Sequence, residues 1–308
     1  MKFETPNKDT GYFPLVLTHL RALDEEHVYG HEHQLSHPAD IFLTTFRDAV
    51  DCINSLAKSV NKLTEAFEQG GGVSDDSLAA IRRQVFELLF YTGNFVEGCQ
   101  SIIKSLFPRG DKRLAKAARD FKGNIENYTS HASQLINKVK HQHRRPRIFT
   151  FKNNNKIIIG YYLEGLVSKG VLGPDPELHK SYNGLRTGFS LNRSIPYHLC
   201  NLYYVSACLD SVIKTHGFAG TSSAVRVEDE FIRETLLEVK KIPCMLLPDE
   251  MEKPLPVIAC KSNGNFKIEF PGKKYVINKA HHIADVSLEA RIGIYDRGLA
   301  PPYMLISK

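Results

Sequence analysis

Along the first half of the chain, apolar positions return at steps of four and three residues, the period of one face of an α-helix. From 42 to 67 that face is Phe42, Phe46, Ala49, Ile53, Leu56, Val60, Leu63 and Phe67. From 78 to 106 it is Leu78, Ile81, Val85, Leu88, Thr92, Phe95, Cys99, Ile102 and Leu106. From 114 to 139 it is Leu114, Ala118, Phe121, Ile125, Tyr128, Ala132, Leu135 and Val139. Each stripe predicts a helix of about 30 residues, roughly 45 Å long. The connectors 69–77 and 107–113 are short, and each offers a glycine stop followed by an N-cap, Ser74 and Asp111. Short loops between long helices make successive helices antiparallel. A fourth stripe, Leu199, Leu202, Ser206, Leu209 and Ile213, follows Ser194 as its expected N-cap.

Between the third and fourth stripes the period changes. The apolar runs RIFTF and KIIIGYYL flank the polar turn KNNN and predict a β-hairpin, followed by a loop rich in glycine and turn residues. After 216, EDEFIRETLLEVKK predicts a short helix, and PVIACK, NFKIEF and KKYVIN alternate like short strands. The expected fold is mainly α. A long up-down four-helix bundle spans 37–218, with a β-hairpin insertion at 148–193. An N-terminal arm occupies 1–36, and a small C-terminal α+β unit occupies 219–308.

Composition narrows the class. The chain has 308 residues, 42% hydrophobic and 24% charged, which is ordinary globular material. It contains no apolar run of about 18 residues, so no membrane span is expected. The start MKFETPNKDTGYF lacks the apolar core of a signal peptide. The six cysteines, at 52, 99, 200, 208, 244 and 260, form no C-x-x-C pair and read as reduced thiols of a cytoplasmic protein. There is no P-loop, nucleophile elbow, dinucleotide fingerprint or H-E-x-x-H, which disfavours NTPases, triad hydrolases and zinc proteases. The run HVYGHEHQLSH gathers His27, His31, His33 and His37 around Glu32, but Gly30 interrupts any shared helical face. It reads as polar surface, and KAHHIAD (279–285) sends its adjacent histidines to different sides. No metal or other cofactor is expected.

A formal charge of +6 matters only where it clusters. It clusters in INKVKHQHRRPR (136–147), which holds Lys138, Lys140, His141, His143, Arg144, Arg145 and Arg147 at the end of the third helix. At about 100° per residue, Asn137 and His141 share a stripe away from the bundle seam. The helix dipole accounts for two or three such cations. The surplus suggests an anion site, most economically for a phosphate backbone. In an antiparallel bundle the fourth helix starts where the third ends, so Arg193 and His198 are expected near His141, Arg144 and Arg145. Imidazoles and cations gathered in this way suit phosphodiester cleavage without metal.

Arg193-Ser-Ile-Pro-Tyr-His198 has the Arg-x4-6-His spacing near the last helix of a bundle, and in this the chain resembles the HEPN domains. Many of these are metal-independent ribonucleases acting as dimers. The resemblance covers at most 37–218. It implies that Arg193 stabilises the phosphate, that His198 handles the proton, and that two protomers form the cleft. Asn137-x-x-x-His141 echoes the family's Arg-Asn-x-x-x-His form, with Ile136 where the arginine belongs. The functional expectation is an RNA-directed protein with metal-independent nuclease activity. Its catalytic candidates are Arg193, His198, His141 and Asn137, and its nucleic-acid contacts are Lys138, Lys140, His143, Arg144, Arg145 and Arg147. The competing expectation is a non-catalytic scaffold of a larger cytosolic assembly. Leu89, Phe90, Val96 and Ile103 favour it by widening the apolar face of the second helix beyond its seam.

Overall fold

The computed structural model describes residues 6–24, 26, 28–153, 156–168, 171–218, 230–253, 256–269, 286–289 and 301–303. Two short helices, α1 (Val16–Arg21) and α2 (Gly30–His33), precede three helices of 31 residues each: α3 (Pro38–Glu68), α4 (Asp75–Ser105) and α5 (Lys112–Gln142). Most of the predicted punctuation holds. Gly70, next to the α3 C-cap, takes the left-handed conformation (φ +84°), whereas Gly110 takes it within the loop, four residues after the α4 C-cap at Leu106. The Ser74 hydroxyl accepts the Ser77 N–H at 3.2 Å, and the Asp111 carboxylate accepts the Arg113 N–H at 2.8 Å.

The insertion begins with β1 (Pro146–Asn153) and β2 (Lys156–Ser168), an antiparallel hairpin as predicted, followed by β3 (Val171–Pro174). Two short pairs of residues, β4 (Ser181–Tyr182) and β5 (Leu185–Arg186), pair with each other. β6 (Phe189–Ser190) returns to β2 and leads directly into α6 (Leu191–Thr215). The helix therefore starts earlier than expected. Ser190, not Ser194, is its N-cap, accepting the Arg193 N–H at 3.1 Å. The buried Glu250 carboxylate fixes Ser190 in turn, accepting both its N–H (2.9 Å) and its hydroxyl (2.6 Å). Arg193 thus lies in the first turn of α6.

Helices α3 to α6 share one core, in which Phe42, Phe46, Phe95, Phe121 and Leu199 are fully buried. The main sheet, in the order β3-β2-β1-β9 with β9 at Val286–Glu289, packs against the bundle. β2 is buried on both faces, which is why KIIIGYYL is a continuous apolar run rather than an alternating one. Ile157, Ile159 and Tyr161 face the bundle. Ile158 and Tyr162 face a second small core with Phe149, Phe151 and Leu247. The Phe149 ring sits where side chains at Gly160 and Gly188 would otherwise be; a Cβ there would come within 2.5 and 2.6 Å of it.

Described N- and C-terminal segments join the same core. Tyr12, Phe13, Val16, Leu17 and Leu20, from the segment read in sequence as an arm, pack into it, and Tyr203 donates to the Tyr12 carbonyl at 2.8 Å. His33 hydrogen-bonds the Phe107 carbonyl at 2.8 Å, and His37 accepts the Ala39 N–H at 3.2 Å as the N-cap of α3. The histidine-rich run is thus tied down by backbone groups, although His27 lies outside the described residues. The predicted short helix is α7 (Glu230–Lys241). It covers α3 with Ile232, Leu236 and Val239, and Asn61 donates to the Glu238 carbonyl at 3.0 Å. The strands β7 (Val257–Cys260) and β8 (Phe266–Glu269) form an antiparallel pair whose Phe266 and Ile268 also enter the core. KKYVIN and KAHHIAD lie outside the described residues. No helix among those residues is long and apolar enough to cross a membrane.

Candidate functional site

The basic end of α5 is formed by an abrupt helix stop. His143 takes the left-handed conformation (φ 54°), its N–H closing on the Lys138 carbonyl, and the chain leaves as β1 at Pro146. The insertion then returns acidic side chains to this end. Lys138 Nζ meets Glu177 at 2.5 Å and the buried Asp175 at 3.3 Å, and Arg144 Nε lies 3.8 Å from Asp175. Arg147 is buried and paired with Glu164. Three of the six expected nucleic-acid contacts are therefore engaged within the fold. Lys140, His141, His143 and Arg145 are exposed, and among the described residues they make no ion pair.

Arg193 and His198 are somewhere else. Helix α6 runs antiparallel to α5, with Tyr204 donating to the Asn124 carbonyl at 2.5 Å and Tyr128 Oη 3.0 Å from His198 Nδ1. His198 is therefore level with Tyr128. His141 is thirteen residues further along α5, about 20 Å at 1.5 Å per residue. The single pocket expected from antiparallel topology does not form, because α5 overhangs the start of α6. Its last turns pack on α4 and the insertion instead, Leu135 meeting Leu89 of α4 and Leu163 of β2, with Leu178 alongside.

The surroundings of His198 also differ from those of a proton shuttle. It is 1% exposed, and burial, reinforced by His131 and Arg193, pushes its pKa down to about 3. A general acid–base works best with a pKa near the operating pH and with access to the reacting group. His198 has neither. The Arg193 guanidinium lies over the Tyr197 ring, 5.1 Å from its centre. What the motif builds is a buried polar cluster at the junction of α5, α6 and the insertion. His131 packs edge-on against Phe189 at 5.3 Å, and burial, then Arg193 and Lys253, lower its pKa to about 4. His179 also packs against Phe189 (4.6 Å) and accepts the Leu163 N–H at 3.0 Å; burial lowers its pKa to about 3. Burial also holds the Glu250 carboxyl above its ordinary value, against the opposing pull of Ser190, Leu247 and Arg193.

Asn137 and His141 do share one exposed stripe, as their spacing implies. With Lys140 they line one end of an open groove of about 810 Å³ between α4 and α5. Its floor includes Val96, Ile125, Ala132 and Ile136, and Arg119 and Lys122 lie towards its other end. The four apolar residues outside the α4 seam divide here. Leu89, Val96 and Ile103 are buried, whereas Phe90 is 45% exposed with Lys140 Nζ 5.5 Å above its ring.

Sequence reasoning passed over His131, His179, Tyr197 and Glu250. His131 lies four residues before Leu135 and three after Tyr128, so its approach to the buried face was legible in the heptad. His179 and Glu250 occupy irregular segments, where no periodicity signals burial. No family model, no curated protein and no solved structure matches this chain.

Proposed function

We propose that this chain is a polyanion-binding helical scaffold, non-catalytic at Arg193 and His198, whose ligand lies along the first half of α4 and the last turns of α5. The observation that carries the reading is the set of exposed, unneutralised groups at that end: Lys140, His141, His143 and Arg145. Helix α4 is antiparallel to α5, so its exposed Arg82 and Arg83, about two turns before Phe90, extend the same positive surface. Phosphate chains are the polyanions that reward clustered lysine and arginine, through release of condensed counterions. The nuclease reading is set aside because its proton carrier is buried and held neutral.

The test is a salt titration of binding to inorganic polyphosphate and to a short oligoribonucleotide. Wild-type protein should bind both, with affinity falling steeply as salt rises. Lys140→Ala with Arg145→Ala should flatten the dependence. Absence of binding to either at about 50 mM salt would overturn the reading and leave the bundle as a scaffold for other partners.

A further inference from the structure

Cations alone would serve any polyanion, but this face carries two further groups that a phosphate chain does not need. Phe86 and Phe90 are 46% and 45% exposed, while the α4 seam residues Val85 and Leu88 are fully buried. The two phenylalanines are four residues apart, so they stand one turn apart on one stripe, their Cβ atoms about 5–6 Å from each other. Phe90 is edge-on to Tyr91 at 5.4 Å and carries the Lys140 ammonium over its ring. Arg82 lies one turn before Phe86 on the same stripe, with Arg83 beside it, and both are exposed.

Among the described residues, Phe86 and Phe90 are the large apolar side chains left exposed on helices, whereas α3 is covered by α7. Here Phe86 and Phe90 are left about half exposed, with Lys140 over the Phe90 ring and Arg82 and Arg83 on the preceding turn. An acidic protein surface would satisfy the cations but would need a separate apolar patch to cover the rings. A nucleic acid supplies both parts, phosphates for the cations and flat π-faces for the rings. A duplex keeps its base faces stacked on each other and cannot offer them.

We infer that Phe86 and Phe90 form a stacking platform for unpaired bases, so that the ligand of this face is single-stranded nucleic acid. This rests on the polyanion reading above and narrows it. The rings contact bases, not sugars, so single-stranded RNA and DNA both meet the requirement. Lys140, over Phe90, is placed to meet the phosphate beside a base stacked there.

The test compares four ligands by fluorescence anisotropy or by competition, at one fixed salt concentration. They are a short single-stranded RNA, the same sequence as single-stranded DNA, its blunt duplex, and inorganic polyphosphate. Wild-type protein should bind both single strands at least tenfold more tightly than the duplex. Phe86→Ser with Phe90→Ser should weaken single-strand binding by about tenfold or more per ring lost and leave polyphosphate binding unchanged. Both positions are on the surface, and an unchanged thermal melt of the double variant shows that the fold is intact. Equal binding of duplex and single strand, or an equal loss for all four ligands, overturns the platform while the polyanion reading stands. Failure of all four to bind overturns both. If wild-type protein self-associates in sedimentation and the double variant does not, while nucleic-acid binding is unaffected, the rings are a contact between copies and the platform is wrong.

Discussion

His131 and His141 lie on the same helix, ten residues apart, and have opposite fates. His131 is pressed between Phe189 and Tyr197, beside Arg193, and its imidazole is held neutral down to about pH 4. His141 is exposed at the rim of the α4–α5 groove. The helix itself does not distinguish them; its neighbours do. At the level of His131, α5 is covered by α6 and the insertion. His141 lies beyond the start of α6, and the insertion meets α5 there on the side bearing Lys138. Residue type and spacing therefore nominate a chemical group, but cover by neighbouring segments decides whether it can meet a ligand.

The comparison is broken most severely by acid. His131, His179 and His198 all have folded pKa values below the ordinary value near 6.5. The unfolded chain protonates them first, so their stabilising effect is complete above about pH 6.5 and is lost as the pH falls towards 4. Each contributes a slope of about 1.4 kcal/mol per pH unit in that window. Three together give roughly 4 kcal/mol per unit, against a total stability of about 5–15 kcal/mol for a typical domain. Glu250, whose carboxyl is raised by burial, opposes this at pH values above its ordinary carboxyl range, but it is one group against three. Urea midpoints should fall steeply between about pH 6.5 and 4, and His131→Phe should reduce that slope by one proton's worth. An unchanged slope in the variant would mean that His131 titrates normally in the fold.

A smaller effect tests the buried half of the comparison directly. Tyr128→Phe removes the partner of His198 Nδ1 in a fully buried site and should cost about 1–3 kcal/mol in denaturant unfolding. Smaller again, Ser190→Ala removes the N-cap of α6 and should cost about 1 kcal/mol. The added loss of a Glu250 partner would push the cost towards the top of the usual range. The corresponding change on the exposed half, His141→Ala, should alter stability by no more than about 0.5 kcal/mol.

Local features of the fold were legible in the sequence. Ser74, Asp111 and the hairpin were readable because caps and turns are set by residues a few positions apart. Ser194 was misread as a cap because the choice of Ser190 depends on Glu250, sixty residues downstream. The candidate site was harder for the same reason. The acids that neutralise Lys138, Arg144 and Arg147 arrive from the insertion, and Asp175 and Glu177 stand in a turn-rich stretch with no periodic signal. The exposed stripe of Asn137 and His141 followed from helical geometry alone. Its separation from Arg193 and His198 did not, since antiparallel topology gives direction but not how far one helix overhangs the next. Phe90 shows the same limit: it was grouped with Leu89, Val96 and Ile103, and the fold covers those three.

The central claim is that the accessible polyanion face lies at Lys140 and Arg145, not at the Arg-x4-His motif. Its most direct test is the slope of log affinity against log salt for a single-stranded oligoribonucleotide, measured for wild type, for Lys140→Ala with Arg145→Ala, and for Arg193→Gln. The account predicts that the first variant lowers the slope by about 1.4, two phosphate contacts at roughly 0.7 each, while Arg193→Gln retains the wild-type slope. A slope lost in Arg193→Gln and kept in the Lys140/Arg145 variant would contradict it.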